Sequence, residues 1–470
     1  MPELYKKIGE AELRTFADIC GEAHVYWEPG HDWMVRASRD ETEDLCFVPE
    51  AVARPGNAEQ VAHLLRYCHA ENIPVTPRGA GTGLSGGALP VCGGLVLDTS
   101  RMNRILKLDT DNFTVTVEPG VITQHLQEVV AEKDLFYPPD PSSRGSCFIG
   151  GNIAENAGGP RAVKYGTTKD FVLNLKVVLA DGTLISTGAA TLKNATGYNL
   201  TQLFVGSEGT LGVVTEATLK LLPHPRHRRL MLANFESPEA ACETVAEIFK
   251  AGFVPSALEF MEREAMDYTL AYKPDISLAV PERAQAQLLV ETDGLYPDVV
   301  ERDCEGLYEV LEKKGAFDIL YADDEAGQAN LWRLRRAVGE AVKSHSIYKE
   351  EDTVVPRFEL PRLLRGVKEI GSRYGFRSVC YGHAGDGNLH VNILKGDLSD
   401  TFWNHELPEA IAEIFQLCKR LGGTISGEHG IGWVQRRYMP LVFSEAELQL
   451  MKSIKKLLDP KNILNPGKIF

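Results

Sequence analysis

Two short motifs near the C-terminus carry residues that could bind a metal and move a proton. HAGDGNLH places His383 and His390 on either side of a glycine-rich bend, and GEHG places Glu428 beside His429. Two imidazoles and one carboxylate oxygen suit Zn²⁺, Fe²⁺ or Mn²⁺ with open coordination positions. One histidine alone is more often a structural residue, so the hypothesis rests on both motifs together. The sequence predicts a divalent metal held by His383, His390 and Glu428.

A third segment, WRLRR at residues 332–336, could hold an anion. Helical spacing puts Trp332, Arg335 and Arg336 on one side of a helix. An arginine suits bidentate binding of a carboxylate, whereas a solvated basic helix face is the alternative interpretation.

The elements that must position these residues can be predicted from the flanking sequence. Strand-like RSVCY leads into the first motif and LHVNIL leads out of it, which predicts a hairpin whose two histidines can face one point. From residue 224 the order of predicted elements is β-α-β-β-α-β, as in a ferredoxin-like unit.

A glycine-rich stretch, PRGAGTGLSGGA at residues 77–88, predicts a loop that binds an anion through backbone N–H groups. It lies between two apolar strand-like runs. Gly81, Gly83 and Gly86 nominally fit the Rossmann dinucleotide spacing. However, Pro90 and two further glycines prevent the amphipathic helix that must follow. The sequence therefore argues against NAD on a Rossmann domain.

Length and pattern predict four segments: an N-terminal helical extension (1–47), a cofactor domain (48–223), a cap domain (224–420) and a C-terminal segment that returns to the cofactor (421–470). A formal net charge of −15 argues against nucleic acid as a partner. No signal peptide and no apolar run of about 18 residues is apparent. The nine cysteines are scattered, which argues against a thiolate cluster and favours a cytoplasmic location, with membrane association only through a partner.

Several long motifs together resemble one enzyme family. PRGAGTGLSGG, GGNIAENAGG, GSEGTLGVVTEATLKL, YGHAGDGNLHVNIL, SGEHGIGWVQRRYM and ILNPGKIF are similar to the FAD-dependent D-2-hydroxyacid dehydrogenases, which include glycolate oxidase catalytic subunits, D-lactate dehydrogenases and D-2-hydroxyglutarate dehydrogenases. The resemblance runs from about residue 48 to residue 470. It implies an α+β, vanillyl-alcohol-oxidase-type fold with a FAD-binding domain of two α+β subdomains and an antiparallel, ferredoxin-like substrate cap.

The resemblance also implies which residues bind FAD. The residues around the pyrophosphate would be Arg78, Gly79, Gly81, Thr82, Gly83, Leu84 and Ser85, with help from Gly150, Asn152 and Asn156. The residues along the flavin would be Pro139, Asp140, Ser143, Gly209, Val213, Val214 and Asn465. Because Thr82 follows Gly81 where some relatives carry a covalently linked histidine, we expect non-covalent FAD.

The implied reaction is oxidation of a small D-2-hydroxy acid, such as D-lactate, glycolate or 2-hydroxyglutarate, to the 2-oxo acid. Arg335 and Lys349 would bind its carboxylate, and His429 would take the hydroxyl proton. Gly339, one turn past Arg335, favours a small monocarboxylate. An electron-transfer flavoprotein or an iron–sulfur subunit would receive the electrons. A flavin-dependent alkyl-glycerone-phosphate synthase and a non-catalytic electron-transfer subunit are the alternatives.

Overall fold

A computed structural model of the protein describes residues 5–42 and 45–470. The chain forms two compact units. Unit 1 comprises the described part of residues 1–158 together with 167–223 and 428–470, and unit 2 comprises 159–166 and 224–427. The extension predicted over residues 1–47 lies partly outside the described residues.

The α-helices and β-strands are numbered in chain order. The helices are α1 (Glu10–Cys20), α2 (Asp32–Ala37), α3 (Ala58–Glu71), α4 (Thr123–Ala131), α5 (Ile149–Glu155), α6 (Ala162–Tyr165), α7 (Leu200–Phe204), α8 (Pro238–Lys250), α9 (Arg263–Tyr272), α10 (Pro297–Lys313), α11 (Glu325–His345), α12 (Leu360–Tyr374), α13 (Leu407–Arg420), α14 (Met439–Val442) and α15 (Glu445–Leu458). The strands are β1 (Val25–Tyr26), β2 (Ala51–Ala53), β3 (Val75–Arg78), β4 (Leu95–Asp98), β5 (Ile105–Asp109), β6 (Thr114–Val117), β7 (Leu135–Phe136), β8 (Val172–Val178), β9 (Leu184–Ser186), β10 (Val213–Lys220), β11 (Leu222–Pro223), β12 (His227–Phe235), β13 (Ala257–Glu262), β14 (Ala286–Gly294), β15 (Phe317–Ala322), β16 (Tyr348–Val354), β17 (Arg377–Gly382) and β18 (Asn388–Leu394).

Unit 1 holds two main sheets. The first has the order β1-β2-β4-β3, in which β2, β4 and β3 are parallel, and α3 crosses from β2 to β3. Asn57 caps the N-terminus of α3 and Asn72 ends the helix in the left-handed region, so the chain turns directly toward β3. The second sheet, β5-β6-β10-β8-β9, is antiparallel throughout. The predicted pair of α+β subdomains is confirmed.

The glycine-rich loop connects β3 to β4, as predicted from its apolar flanks. None of the described residues 79–94 is helical. The loop therefore lacks the helix that a Rossmann dinucleotide site requires.

Unit 2 is built on one antiparallel sheet with the order β15-β12-β14-β13-β17-β18-β16. Its first four strands, with α8 and α10, have the predicted ferredoxin-like arrangement. Helix α11 packs on one face, where Leu334 and Val338 join a buried cluster with Leu232, Met261 and Tyr381. Because side chains alternate along a strand, every second residue of β13 and β17 faces this helix.

The predicted hairpin of the first motif is present. β17 pairs with β18, and Tyr381 lies opposite His390. The turn requires glycine at Gly387, whose φ is +76° and where a Cβ atom would lie 2.0 Å from the carbonyl oxygen of Val355. The turn sets the register that brings the two histidines of the motif together.

Candidate functional site

The imidazoles of His383 and His390 lie together in unit 2. Their ring centroids are 5.3 Å apart and their planes are nearly perpendicular. Both side chains are buried. His383 follows β17 and His390 lies within β18, so the hairpin places both ligands predicted from HAGDGNLH in one small volume.

Glu259 on β13 fixes the orientation of His383. The Nδ1 atom of His383 lies 2.9 Å from both carboxylate oxygens of Glu259, so an Nδ1–H group donates to them and the lone pair of this tautomer is on Nε2. The same carboxylate lies 2.7 Å from Nη2 of Arg335. Burial acts to raise the pKa of Glu259, but the charges of His383 and Arg335 outweigh it and the pKa is lowered. Glu259 is therefore an anion shared by an imidazole and a guanidinium.

Asp352 on β16 anchors Gly427, the first residue of the second motif, to the strand that pairs with the His390 strand. It lies opposite His390 in the sheet and accepts hydrogen bonds from Asn388 Nδ2 at 2.7 Å and from the backbone N of Gly427 at 2.8 Å. Its Oδ1 atom and Oε1 of Glu350 lie 3.6 and 3.5 Å from His390 Nδ1. Gly427, the residue before Glu428, is thus anchored to the strand that pairs with the histidine strand.

Glu428 and His429 begin the 428–470 segment of unit 1. Glu428 Oε2 lies so close to Gly158 that a Cβ atom there would be 2.8 Å away. His429 Nε2 is 4.0 Å from Glu428 Oε1, and both side chains are partly exposed.

Two glutamates hold the backbone that follows His429. Glu208 accepts hydrogen bonds from the N–H groups of Ile431 and Gly432, each at 2.7 Å. The Oε2 atom of Glu155 abuts Gly430, is buried and has no hydrogen-bond partner among the described residues. Burial raises the pKa of both carboxyls, and the two N–H groups partly oppose this at Glu208. We therefore assign the charge to Glu208 and the proton to Glu155.

Glu155→Gln should flatten the dependence of thermal stability on pH. A carboxyl whose folded-state pKa is raised contributes stability that is complete below its unfolded pKa, about 4.3, and is lost as pH rises through the folded value. As pH rises from 5 to 8, the Tm of FAD-loaded wild type should therefore fall by roughly a few degrees relative to the Tm of FAD-loaded Glu155→Gln. Glu132→Gln, at an exposed position of unit 1, is the matched control. Parallel Tm curves for wild type and Glu155→Gln would show that Glu155 is ionised.

Arg335 and Lys349 do not share one face of the sheet. Arg335 is buried, and its Nη2 atom forms the ion pair with Glu259, whereas its Nε atom has no hydrogen bond among the described residues. Lys349 alternates with Glu350 along β16 and therefore points to the opposite face, where its Nζ donates to the carbonyl oxygen of Trp403 at 3.2 Å. The structure brings Arg335, but not Lys349, to the histidine face.

Asn392 is a candidate that sequence reasoning missed. It lies two residues after His390 on the same face of β18, is fully buried, and has no hydrogen bond to either amide atom among the described residues. A buried amide without partners is costly unless a ligand satisfies it. The alternation of NLHVNIL could have placed it beside His390, but its burial could not be predicted.

The glycine-rich loop of unit 1 has the features that a dinucleotide phosphate requires. Arg78 is buried beneath the loop, and a Cβ atom at Gly81, whose φ is +76°, would lie 2.0 Å from its Nη2 atom. Arg78 Nη1 and Ser85 Oγ are buried without hydrogen-bond partners among the described residues. An added Cβ at Gly83 would meet nothing within 4 Å. The loop therefore combines a cation, a free hydroxyl and space for an anion.

Other predicted cofactor residues surround this loop. Gly79 lies against the backbone of Gly151, next to Gly150 in α5, and Gly209 lies against Pro77. Thr82 and Leu84 are partly exposed loop residues, and Val213 and Val214 begin β10.

The remaining predicted cofactor residues are occupied in holding the protein together. Asn152 Nδ2 donates to Thr123 Oγ1, and Asn156 Oδ1 accepts from the backbone N of Lys169. Asn465 Nδ2 donates to the carbonyl oxygens of Gly87 and Glu208. Pro139 and Ser143 have backbone carbonyls that accept hydrogen bonds, and Asp140 is buried. Direct contact of these residues with the flavin stays a prediction.

Comparison with known proteins decides the family. The family described as "FAD linked oxidases, C-terminal domain" matches residues 224–469, and the family described as "FAD binding domain" matches residues 49–188. The chain is 42% identical to the glycolate oxidase subunit GlcD of Bacillus subtilis, over 92% of this chain and 91% of that protein. The chain belongs to the FAD-dependent D-2-hydroxyacid dehydrogenase family. It is therefore an FAD-linked oxidoreductase, as the motifs predicted.

Two further relatives match over nearly the whole chain. The D-lactate dehydrogenase of Archaeoglobus fulgidus is 38% identical, over 92% of this chain and 94% of that protein. The D-2-hydroxyglutarate dehydrogenase of Xanthomonas citri pv. viticola is 36% identical, over 94% of this chain and 92% of that protein.

Two solved structures share the predicted fold. p-Cresol methylhydroxylase superposes with a TM-score of 0.80 at 18% identity, covering 99% of this chain and 98% of that chain. An alkyldihydroxyacetonephosphate synthase superposes with a TM-score of 0.74 at 17% identity, covering 98% of this chain and 85% of that chain. At these identities the likeness shows the fold alone. Among the described residues, no helix is both long enough and apolar enough to cross a bilayer.

Proposed function

We propose that the protein oxidises a small D-2-hydroxy acid to the 2-oxo acid, with FAD and a divalent metal, and passes the electrons to a partner protein. One observation carries the proposal. A buried carboxylate, Glu259, contacts both Nδ1 of His383, whose Nε2 atom would be the one to bind a cation, and the guanidinium of Arg335, whose Nε atom has no hydrogen bond among the described residues. This arrangement provides one place for a metal and another for a carboxylate.

The residues present fit a divalent metal. Glu259 fixes His383 in the tautomer whose lone pair is on Nε2, the atom that would bind a metal, and His390 lies beside it. Glu428 follows Gly427, which hydrogen bonds hold against the strand opposite His390. We therefore propose His383, His390 and Glu428 as ligands of Zn²⁺, Fe²⁺ or Mn²⁺. Such an ion would lower the pKa of a hydroxyl group held there.

The substrate carboxylate is proposed to bind the guanidinium of Arg335, whose Nε atom has no hydrogen bond among the described residues. Asn392, on the same face as His390, can donate to a carboxylate oxygen and so satisfy its own buried amide. Lys349 has no part in this proposal because it lies on the opposite face of β16. The two contacts orient the substrate with its C2 hydroxyl toward the histidines.

His429 is proposed to take the proton of the C2 hydroxyl as a general base, since an imidazole titrates near neutral pH. FAD, when bound non-covalently at the loop of residues 79–85, would accept the hydride from C2. The hydroxyl proton and the hydride together account for the two hydrogens lost when the 2-oxo acid forms. The chain's own contribution is therefore orientation and proton removal.

The size of the substrate is proposed to be limited at Gly339. A Cβ atom at Gly339 would lie 3.3 Å from the hydroxyl of Tyr381. Glycine therefore leaves only a small space beside Tyr381 and contributes no group that could bind a second carboxylate. This supports D-lactate or glycolate over 2-hydroxyglutarate, although relatives bearing all three names match the chain.

The electron acceptor is proposed to be an electron-transfer flavoprotein or an iron–sulfur subunit. One relative is named as a subunit of a glycolate oxidase, which supports a partner protein. In a steady-state assay with D-lactate we therefore expect faster turnover with an artificial dye than with oxygen. Formation of hydrogen peroxide at the dye-linked rate would contradict the need for a partner.

An anaerobic titration of the FAD-loaded protein tests the function directly. D-lactate and glycolate should bleach the flavin absorbance stoichiometrically, L-lactate should not, and malate and 2-hydroxyglutarate should require higher concentrations. Absence of bleaching by all these acids would contradict the proposal and favour a reaction without net redox change. The transferase has support only from fold similarity at 17% identity, so we do not propose it.

A further inference from the structure

Glu259 connects two parts of the site that the proposed reaction uses separately. Its side chain is fully buried on β13, and both oxygens face His383 Nδ1 at 2.9 Å. Its Oε2 atom also lies 2.7 Å from Nη2 of Arg335. One negative charge thus balances a guanidinium that would bind the substrate and an imidazole that would bind the metal.

Two neighbours of Glu259 in the sheet are apolar. Met261, the next residue of β13 on the same face, is apolar, and Leu289 lies opposite Glu259 in β14. The ring of Tyr381 lies 5.2 Å from the guanidinium carbon of Arg335. In such an environment an electrostatic interaction is little screened. A change in charge at either partner is therefore felt at the other.

We propose that Glu259 couples metal binding to carboxylate binding, so that each strengthens the other. A carboxylate on Arg335 neutralises the guanidinium and leaves more of the Glu259 charge for the Nδ1–H of His383, which makes Nε2 a better metal ligand. A cation on Nε2 makes Nδ1–H a stronger donor, draws Glu259 toward His383 and leaves Arg335 freer for a carboxylate. The inference rests on the proposed function, because it takes His383 as a metal ligand and Arg335 as the substrate's binding group.

The coupling must be equal in both directions, because it is a free energy linking two equilibria. Its usual size corresponds to about 5- to 150-fold in affinity. It should also be measurable without turnover, with a probe that reaches Arg335 but lacks the 2-hydroxyl group. Propionate is such a probe.

The experiment uses the full-length, FAD-loaded protein after removal of metal by a chelator. Co²⁺ or Zn²⁺ affinity is measured by calorimetry with and without saturating propionate. In wild type, propionate should tighten metal binding at least about fivefold. In Glu259→Gln, metal affinity without propionate should fall about 10- to 100-fold, and the effect of propionate should shrink below about twofold.

A second variant tests the coupling from the other side without touching Glu259 or His383. Arg335→Met removes the competitor for the Glu259 charge, so it should bind metal without propionate about as tightly as wild type does with it. If Arg335→Met binds metal only as tightly as wild type does without propionate, the inference is overturned. This outcome can be read even if Glu259→Gln fails to fold.

Glu262→Gln is the matched control. Glu262 is buried on the same strand but faces the other side, where its Oε2 atom accepts from Lys368 Nζ at 2.8 Å and from the backbone N of Cys380 at 2.7 Å. This variant should keep the wild-type effect of propionate. If wild type binds no metal, the proposed function fails and the inference with it. If wild type and Glu259→Gln bind metal with the same response to propionate, the coupling role of Glu259 alone is overturned.

Discussion

His390→Ala should lower the turnover of D-lactate by roughly 10³-fold while leaving the FAD content unchanged. A metal ion contributes several kcal/mol of charge stabilisation, and each ~1.4 kcal/mol changes a rate tenfold. The imidazole of His390 lies in unit 2, whereas the loop of residues 79–85 that would bind FAD lies in unit 1. Loss of the histidine should therefore remove metal and activity but not the flavin. Activity, metal content and flavin absorbance are measured on the same sample.

His345→Ala provides the matched control for this loss. His345 ends α11 in the same unit, and its ring stacks on that of Tyr268 with centroids 3.8 Å apart. The His345→Ala variant should turn over D-lactate at the wild-type rate. Glu428→Gln should reproduce the defect of His390→Ala, and a chelator should do so reversibly in wild type. Full activity of metal-free wild type would contradict the metal assignment.

The parts of the fold that sequence patterns predicted are those that depend on local rules. Pro90 and the adjacent glycines excluded a helix after the glycine-rich loop, and residues 79–94 are not helical. The hairpin of HAGDGNLH could be predicted because a tight turn between two apolar runs has few alternatives, and the Cβ clash at Gly387 shows why glycine is needed there. The order of elements after residue 224 likewise predicted the ferredoxin-like part of the sheet.

The parts that escaped prediction depend on contacts distant in sequence. Glu259 lies in the apolar run ALEFME, which predicts only a strand. Its role could not be predicted because its partner, His383, is 124 positions away in the sequence. The resemblance implies that Lys349 binds the substrate with Arg335, and only the pairing of β16 with β18 shows that Glu350 and Asp352 are the residues that face His390. Residues 159–166 belong to unit 2 because Lys164 and Tyr165 bind Asp293, a contact that no local pattern indicates.

Arg335→Ala and His429→Ala should separate binding from proton transfer. Arg335 would hold the carboxylate in the ground state and the transition state alike, so its loss should raise KM roughly 10- to 100-fold and leave kcat closer to wild type. His429 would act only as the proton moves, so its loss should lower kcat about 10²- to 10⁴-fold with little change in KM. Steady-state kinetics with a dye acceptor give both constants.

The controls for this pair of variants follow from their positions. Arg333 lies on the same helix as Arg335 but is exposed and paired with Asp275, so Arg333→Ala should leave KM unchanged. His429→Gln keeps a polar group of similar size but cannot take a proton, and it should be as slow as His429→Ala. Added imidazole should partly restore His429→Ala by supplying the missing base. A His429→Ala protein whose flavin is reduced at the wild-type rate in a single turnover would exclude His429 as the base, and the proton would then have to leave through another group of the site.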